Sequence, residues 1–226
     1  MRIACIGYRR WALNIYDSLA GSTDHTYLIF RSKSQYNENA LRDFNPDLVL
    51  FYGWSWYINH KLLIDYNCLM LHPSPLPKYR GGSPIQNKIL RGEYFTWVSA
   101  LKLIDKLDAG DILCREEFSL EHGSIEIILK DISKVIARLI RTVLTKNPAP
   151  IAQTGDSSIY PRLNHQDSEL RIEDLEVRQI YDRIRMLDGL DYPPAYLQFG
   201  RYRILLNSAE LRDNALTFVS RLEEKS

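Results

Sequence analysis

Cysteine is scarce in this chain of 226 residues. Cys5, Cys68 and Cys114 stand far apart, each inside an apolar run, so they make neither a disulfide framework nor the paired spacing of a zinc site; three reduced thiols in buried strands are expected, and no metal. Long apolar runs are missing too. No segment approaches 18 uninterrupted apolar residues, and the opening from Met1 to Gly7 is too short for the apolar part of a secretory signal, so the expectation is a cytoplasmic protein with no membrane partner. Neither sign of charge dominates, with 29 Lys and Arg against 28 Asp and Glu. No basic groove is advertised, and a nucleic-acid partner is not expected. Repeats and low-complexity tracts are absent as well.

What is present alternates between two periods. Residues 2–7 are a short apolar run stopped by glycine, and Trp11, Leu13, Ile15, Tyr16 and Leu19 follow at roughly helical spacing. The unit recurs. Residues 26–30 read as a strand, 37–44 as a helix, and 47–52 as a continuous apolar strand of the kind buried on both faces of a parallel sheet. A short helix at 60–66, a strand at 68–71, a helix at 84–90 and strands at 96–103 and 112–120 complete the pattern. The fold class is therefore α/β, with a doubly wound, mostly parallel sheet. In such sheets ligands bind outside the carboxyl ends of the strands, so the segments after Gly7, Gly53 and Leu71 should converge on one cleft.

From Ser124 an apolar stripe runs through Ile125, Ile128, Leu129, Ile132, Val135, Ile136, Leu139, Ile140 and Val143, a long core-covering helix stopped at residues 147–150. Residues 153–158 are polar and read as a linker. A boundary near 150 is expected, with 1–150 as the core and 151–226 as a linker and a small C-terminal subdomain. That tail offers a helix at 177–186 and strands at 195–199, 202–206 and 216–222, and is mostly β. Its exposed strand edges suit a homodimer interface.

The chemistry concentrates in His72-Pro73-Ser74-Pro75-Leu76-Pro77-Lys78-Tyr79-Arg80-Gly81-Gly82-Ser83-Pro84-Ile85-Gln86. Prolines at 73, 75 and 77 fix φ and deny the loop helical structure, so the strand continues into a stiff extended path built for position. With the later turn Leu107-Asp108-Ala109-Gly110-Asp111-Ile112, this segment resembles the signature of the folate-dependent formyltransferases, over roughly residues 1–145. That resemblance implies a Rossmann-like core, His72 and Asp108 as the catalytic pair, and 10-formyltetrahydrofolate as formyl donor. It also implies that Trp54, Ser55, Trp56, Ser74, Leu76, Pro77, Ile104, Asp105 and Leu107 line the folate. Imidazole suits the chemistry on its own terms. An amine attacking a formyl carbon loses a proton while the carbonyl oxygen gains charge, and histidine titrates near neutrality.

One position departs from the family. An Asn two residues before the His is usual there, and here that place is Met70, which has no N–H to give a developing oxyanion. Protonated His72, a backbone N–H or Gln86 are the replacement donors; the alternative is an inactive folate- or nucleotide-binding relative.

The acceptor side is read from Arg9, Arg10, Lys78, Tyr79 and Arg80, whose cations and hydroxyl suit phosphate. The tail motifs Tyr160-Pro161-Arg162, Arg185-Met186-Leu187 and Asp191-Tyr192-Pro193-Pro194-Ala195 resemble those of amino-sugar formyltransferases. The resemblance thus implies a small-molecule primary amine as partner, a nucleotide-linked amino-dideoxy sugar, with a pseudaminic-acid precursor among the candidates. A methionyl-tRNA formyltransferase-like enzyme is the other member of the family to weigh, against which stand the short tail and the neutral charge.

Overall fold

The computed structural model describes residues 1–22, 24–173 and 175–224. In chain order the elements are β1 (Arg2–Ile6), α1 (Arg10–Ala20), β2 (Thr26–Phe30), α2 (Glu38–Phe44), β3 (Leu48–Phe51), α3 (His60–Asp65), β4 (Cys68–His72), β5 (Arg80–Gly81), α4 (Pro84–Ile89), β6 (Phe95–Lys102), β7 (Ile112–Ser119), α5 (Ile125–Lys146), β8 (Ile159–Tyr160), α6 (Val177–Arg185), β9 (Ala195–Phe199), β10 (Tyr202–Arg212) and β11 (Ala215–Glu224). The main sheet runs β2-β1-β3-β4-β6-β7, parallel from β2 to β4, with β6 antiparallel to β4. The mostly parallel α/β class is confirmed. A three-stranded antiparallel sheet, β11-β10-β9, makes the β-rich tail.

Both faces of β1 and β3 are apolar because both are covered. On one side Ala4, Ile6, Phe30, Leu41, Val49, Phe51, Leu62 and Cys68 form a single buried cluster. On the other, Tyr16 of α1 is fully buried with its hydroxyl 3.2 Å from the carbonyls of Ile6 and Leu50, so its polar atom is satisfied inside the core. Gly7 is required where β1 ends, since a Cβ there would sit 2.5 Å from the Tyr52 carbonyl oxygen. That close approach brings the segments following β1 and β3 side by side at the carboxyl edge.

Two compact units emerge from the internal contacts. One comprises residues 1–80, 97–118 and 130–158, the other 81–96, 119–129 and 159–226. Residues 153–158, read from sequence as a linker, thus belong to the first unit. Cys5 and Cys68 are buried, but Cys114 is only half-buried on β7, because the side chains of that strand alternate between covered and open positions. Burial pushes the Cys68 thiol up to about 12 and that of Cys114 to about 11, which keeps both protonated at neutral pH. Among the described residues no helix is long and apolar enough to cross a membrane.

Candidate active site

His72 is the last residue of β4, at the carboxyl edge of the sheet, and the chain turns there into the proline loop. Its Nε2 lies 3.2 Å from the carbonyl oxygen of Tyr79 and 3.7 Å from Oδ2 of Asp108. Both side chains of the His–Asp pair are buried, at 8% and 4% exposure, so little water screens their attraction. A carbonyl can only accept, so the hydrogen sits on Nε2 in this arrangement and Nδ1 carries the lone pair.

Each partner is held by an unusual piece of backbone. Tyr79 has a left-handed φ of 58°, which turns its carbonyl back towards His72; its own N–H donates to Ser158 Oγ at 3.0 Å. Asp108 is left-handed too, at φ 46°. The turn that carries it is pressed against β6, since a Cβ on Gly110 would lie 1.8 Å from the Lys102 carbonyl oxygen. Only glycine fits there. The Leu-Asp-Ala-Gly spacing therefore has a steric cause besides any catalytic one.

Gln153 joins the two pieces. Its Nε2 donates to the carbonyls of Asp108 (2.9 Å) and Gly110 (2.8 Å), and its Oε1 accepts from an Arg80 guanidinium nitrogen at 2.7 Å. Neither Gln153 nor Ser158 was picked out from sequence as a site residue. Both lie in a polar stretch without hydrophobic period, and the atoms they bind are mainly backbone atoms of distant segments, which leave no local pattern.

The other expected site residues fall into groups. Tyr8, Trp54 and Trp56 form an aromatic cluster after β1 and β3, with ring centroids 4.6 Å apart for Tyr8–Trp56 and 4.7 Å for Trp54–Trp56. The Ser55 hydroxyl is 2.8 Å from that of Tyr8, Arg9 lies 4.8 Å over the Tyr8 ring, and Lys33, which the sequence did not flag, lies 5.5 Å over Trp56. Arg10 is exposed at the first turn of α1. Ile104 and Leu107 are exposed on the turn before Asp108, whereas Asp105 lies 3.5 Å from His60 Nδ1. Pro77 is half-buried and Lys78 exposed. Leu76, expected against the folate, packs with Leu101, Ile112 and Met70, and Arg80, expected at a phosphate, is buried and turned to Gln153. Ser74 is fully buried, and its hydroxyl finds no hydrogen-bond partner among the described residues.

Comparison with known proteins bears on this arrangement. The family pattern described as Formyl transferase matches residues 16–135, more than half of the chain, and that described as Methionyl-tRNA formyltransferase, C-terminal domain, matches residues 165–220. A methionyl-tRNA formyltransferase of a Nitratiruptor species is 32% identical over 172 residues, 74% of this chain and 56% of that protein. The chain spans about half the length of the curated relatives it matches. Among solved structures, a methionyl-tRNA formyltransferase from Clostridium thermocellum superposes with a TM-score of 0.93 at 31% identity over 99% of both chains. A sugar N-formyltransferase from a Shewanella species shares the fold, with a TM-score of 0.68 at 15% identity over 100% of this chain and 98% of that one. The proline loop after β4 and the glycine-braced turn opposite it thus lie within a pattern that extends through the core and into the tail, and the chain belongs to the formyltransferase family.

Proposed function

We propose that this protein is an N-formyltransferase that passes the formyl group of 10-formyltetrahydrofolate to a primary amine. The buried His72–Asp108 pair at the carboxyl edge of the sheet is the observation that carries this reading. The folate supplies, when bound, a formyl carbon attached to an amine nitrogen that can leave. Its flat ring system fits what the chain offers: the aromatic cluster of Trp54 and Trp56 after β3, and the exposed apolar side chains of Ile104 and Leu107 on the turn before Asp108.

The chain's own groups then handle the proton. Nδ1 of His72 accepts it from the attacking amine as the C–N bond forms, Asp108 stabilises the imidazolium, and the same proton is returned to the leaving nitrogen. The oxyanion needs a donor that Met70 does not provide. Pro73, Pro75 and Pro77 have no N–H, and those of Leu76, Lys78 and Tyr79 are engaged by Ser74 O, Pro75 O and Ser158 Oγ. Gln86 is buried on α4. The imidazolium that forms at His72 as Nδ1 takes the amine proton is the donor this reading uses.

For the acceptor we favour a nucleotide-linked amino-dideoxy sugar. Arg9 and Arg10, which follow β1 at the carboxyl edge of the sheet, suit its phosphates. A second reading, methionyl-tRNA, is favoured by the match over residues 165–220 and by the name of the Clostridium thermocellum counterpart. A panel of amino-sugar nucleotides and methionyl-tRNA, incubated with 10-formyltetrahydrofolate and read by the mass gain of one formyl group, separates these. His72→Asn and Asp108→Asn should each lower turnover by about 10²- to 10⁴-fold with folate binding largely kept, the span of general acid–base assistance. Near-normal turnover in either variant removes that residue from the mechanism.

A further inference from the structure

Gln153 is neither an acid, a base nor a nucleophile, yet its side chain is hydrogen-bonded to the turn that carries Asp108 and to Arg80, the residue after Tyr79. Its orientation is chemically determined: the Asp108 and Gly110 carbonyls can only accept and the Arg80 guanidinium can only donate, so the amide NH₂ must face the turn and its oxygen must face Arg80. Two carbonyls of one turn, two residues apart, are thereby drawn to a single nitrogen. That turn contains the left-handed Asp108, a conformation that costs a non-glycine residue energy and persists only where the surroundings enforce it.

Across the site, Arg80 follows Tyr79, whose carbonyl holds His72 Nε2. Arg80 donates its backbone N–H to Ser158 O at 2.9 Å, and Tyr79 donates to Ser158 Oγ. Residues 153–158 thus form a strap in which Ser158 sets the His72 side and Gln153 ties that side to the Asp108 turn. We propose that Gln153 is a positioning residue for the His72–Asp108 pair, fixing the carboxylate relative to the imidazole through the backbone of the turn rather than by touching substrate. This rests on the formyl-transfer reading for its catalytic consequence, but its geometric consequence stands apart from any activity.

The test uses the full-length protein, Gln153→Ala and the isosteric Gln153→Glu, which keeps an acceptor for Arg80 and loses both donors to the turn. Circular dichroism and thermal melts establish that the variants are folded. The His72 ring signals are read by NMR at fixed pH in ¹⁵N-labelled protein and identified by their loss in His72→Asn. In Gln153→Ala they should shift and broaden, because the turn no longer holds the Asp108 carboxylate in one place beside the ring. Turnover should drop about a hundredfold, the cost of an ångström of misplacement, with both substrate KM values within about threefold of wild type. Gln153→Glu should lose turnover similarly.

Unchanged His72 ring signals in Gln153→Ala overturn the inference, whether or not formyl transfer is observed. So does a Gln153→Glu enzyme of normal turnover beside an impaired Gln153→Ala, which would assign the role to the Arg80 contact alone. A wild-type protein that formylates no amine in the panel, but whose His72 ring signals respond to Gln153, defeats the functional reading and leaves the positioning role intact.

Discussion

Met70 occupies the place where the family's Asn is expected, and its surroundings show what the exchange did. The thioether packs with Leu76, Leu101 and Ile112 and also against the cluster containing Phe51 and Cys68, so the side chain bridges two parts of the core. An amide there has apolar walls on those sides. Met70 is half-buried, so Met70→Asn should cost about 1 kcal/mol of stability through lost apolar contact, measured by urea denaturation. Turnover of the folded fraction should hold or rise, since the amide can turn towards the developing oxyanion. A fall beyond tenfold would show that the cavity is built around the thioether. Arg9 and Arg10 make the complementary case on the acceptor side. Arg9→Ala or Arg10→Ala should raise the acceptor KM about tenfold, the equivalent of about 1.4 kcal/mol of uniform binding, with the folate KM little changed. Unaltered acceptor saturation in both would move the phosphates elsewhere, with Lys78 the remaining exposed cation of the loop.

Elements with a hydrophobic period were legible, and those held by hydrogen bonds were not. β3 and α5 stand within two residues of where their apolar patterns put them, because burial is what shapes them. β10 runs on to Arg212, beyond the expected end near 206, through Asn207, Ser208 and Glu210; a register shift and the left-handed φ of Ser208 break the alternation that would have revealed it. The strap at 153–158 has no period at all. α6 shows the same limit inside a correctly placed helix. Arg185, read from sequence as a mark of the substrate class, is 1% exposed and donates to Asp182 Oδ1 (2.6 Å) and to the carbonyls of Gly123 (3.0 Å) and Leu120 (2.8 Å). Asp182 also receives Tyr94 and Arg178. This network ties α6 to the segments at 94 and 120–123, so Arg185→Leu should destabilise the protein by about 3–5 kcal/mol, since the Asp182 charge stays buried without its main partner. A loss under about 1 kcal/mol by chemical denaturation would show that Arg178 and Tyr94 suffice. Arg185→Leu with a normal melt but a raised acceptor KM would return the residue to the ligand.

Salt dependence separates the two proposed acceptors, because they differ in charge. The sequence is nearly neutral at +1. In the tail, where a tRNA-binding surface would be sought, Arg171, Arg201, Arg212 and Arg221 each lie within salt-bridge distance of a glutamate, and Arg203 lies over the Tyr196 ring. Cations already matched by carboxylates release few counterions from a polyanion, whereas a nucleotide diphosphate asks for only two or three. Raising salt from 50 to 200 mM should accordingly change the acceptor KM by less than about tenfold, while a tRNA held through 6–10 phosphates would lose about 10³- to 10⁵-fold in affinity over the same range. The measurement is the acceptor KM at fixed, saturating folate, with a free polyanion added as competitor. A steep salt slope together with competition by the polyanion would sink the sugar-nucleotide reading in favour of methionyl-tRNA; a shallow slope without competition would leave Arg9 and Arg10 after β1 as the place to look for the acceptor's phosphates.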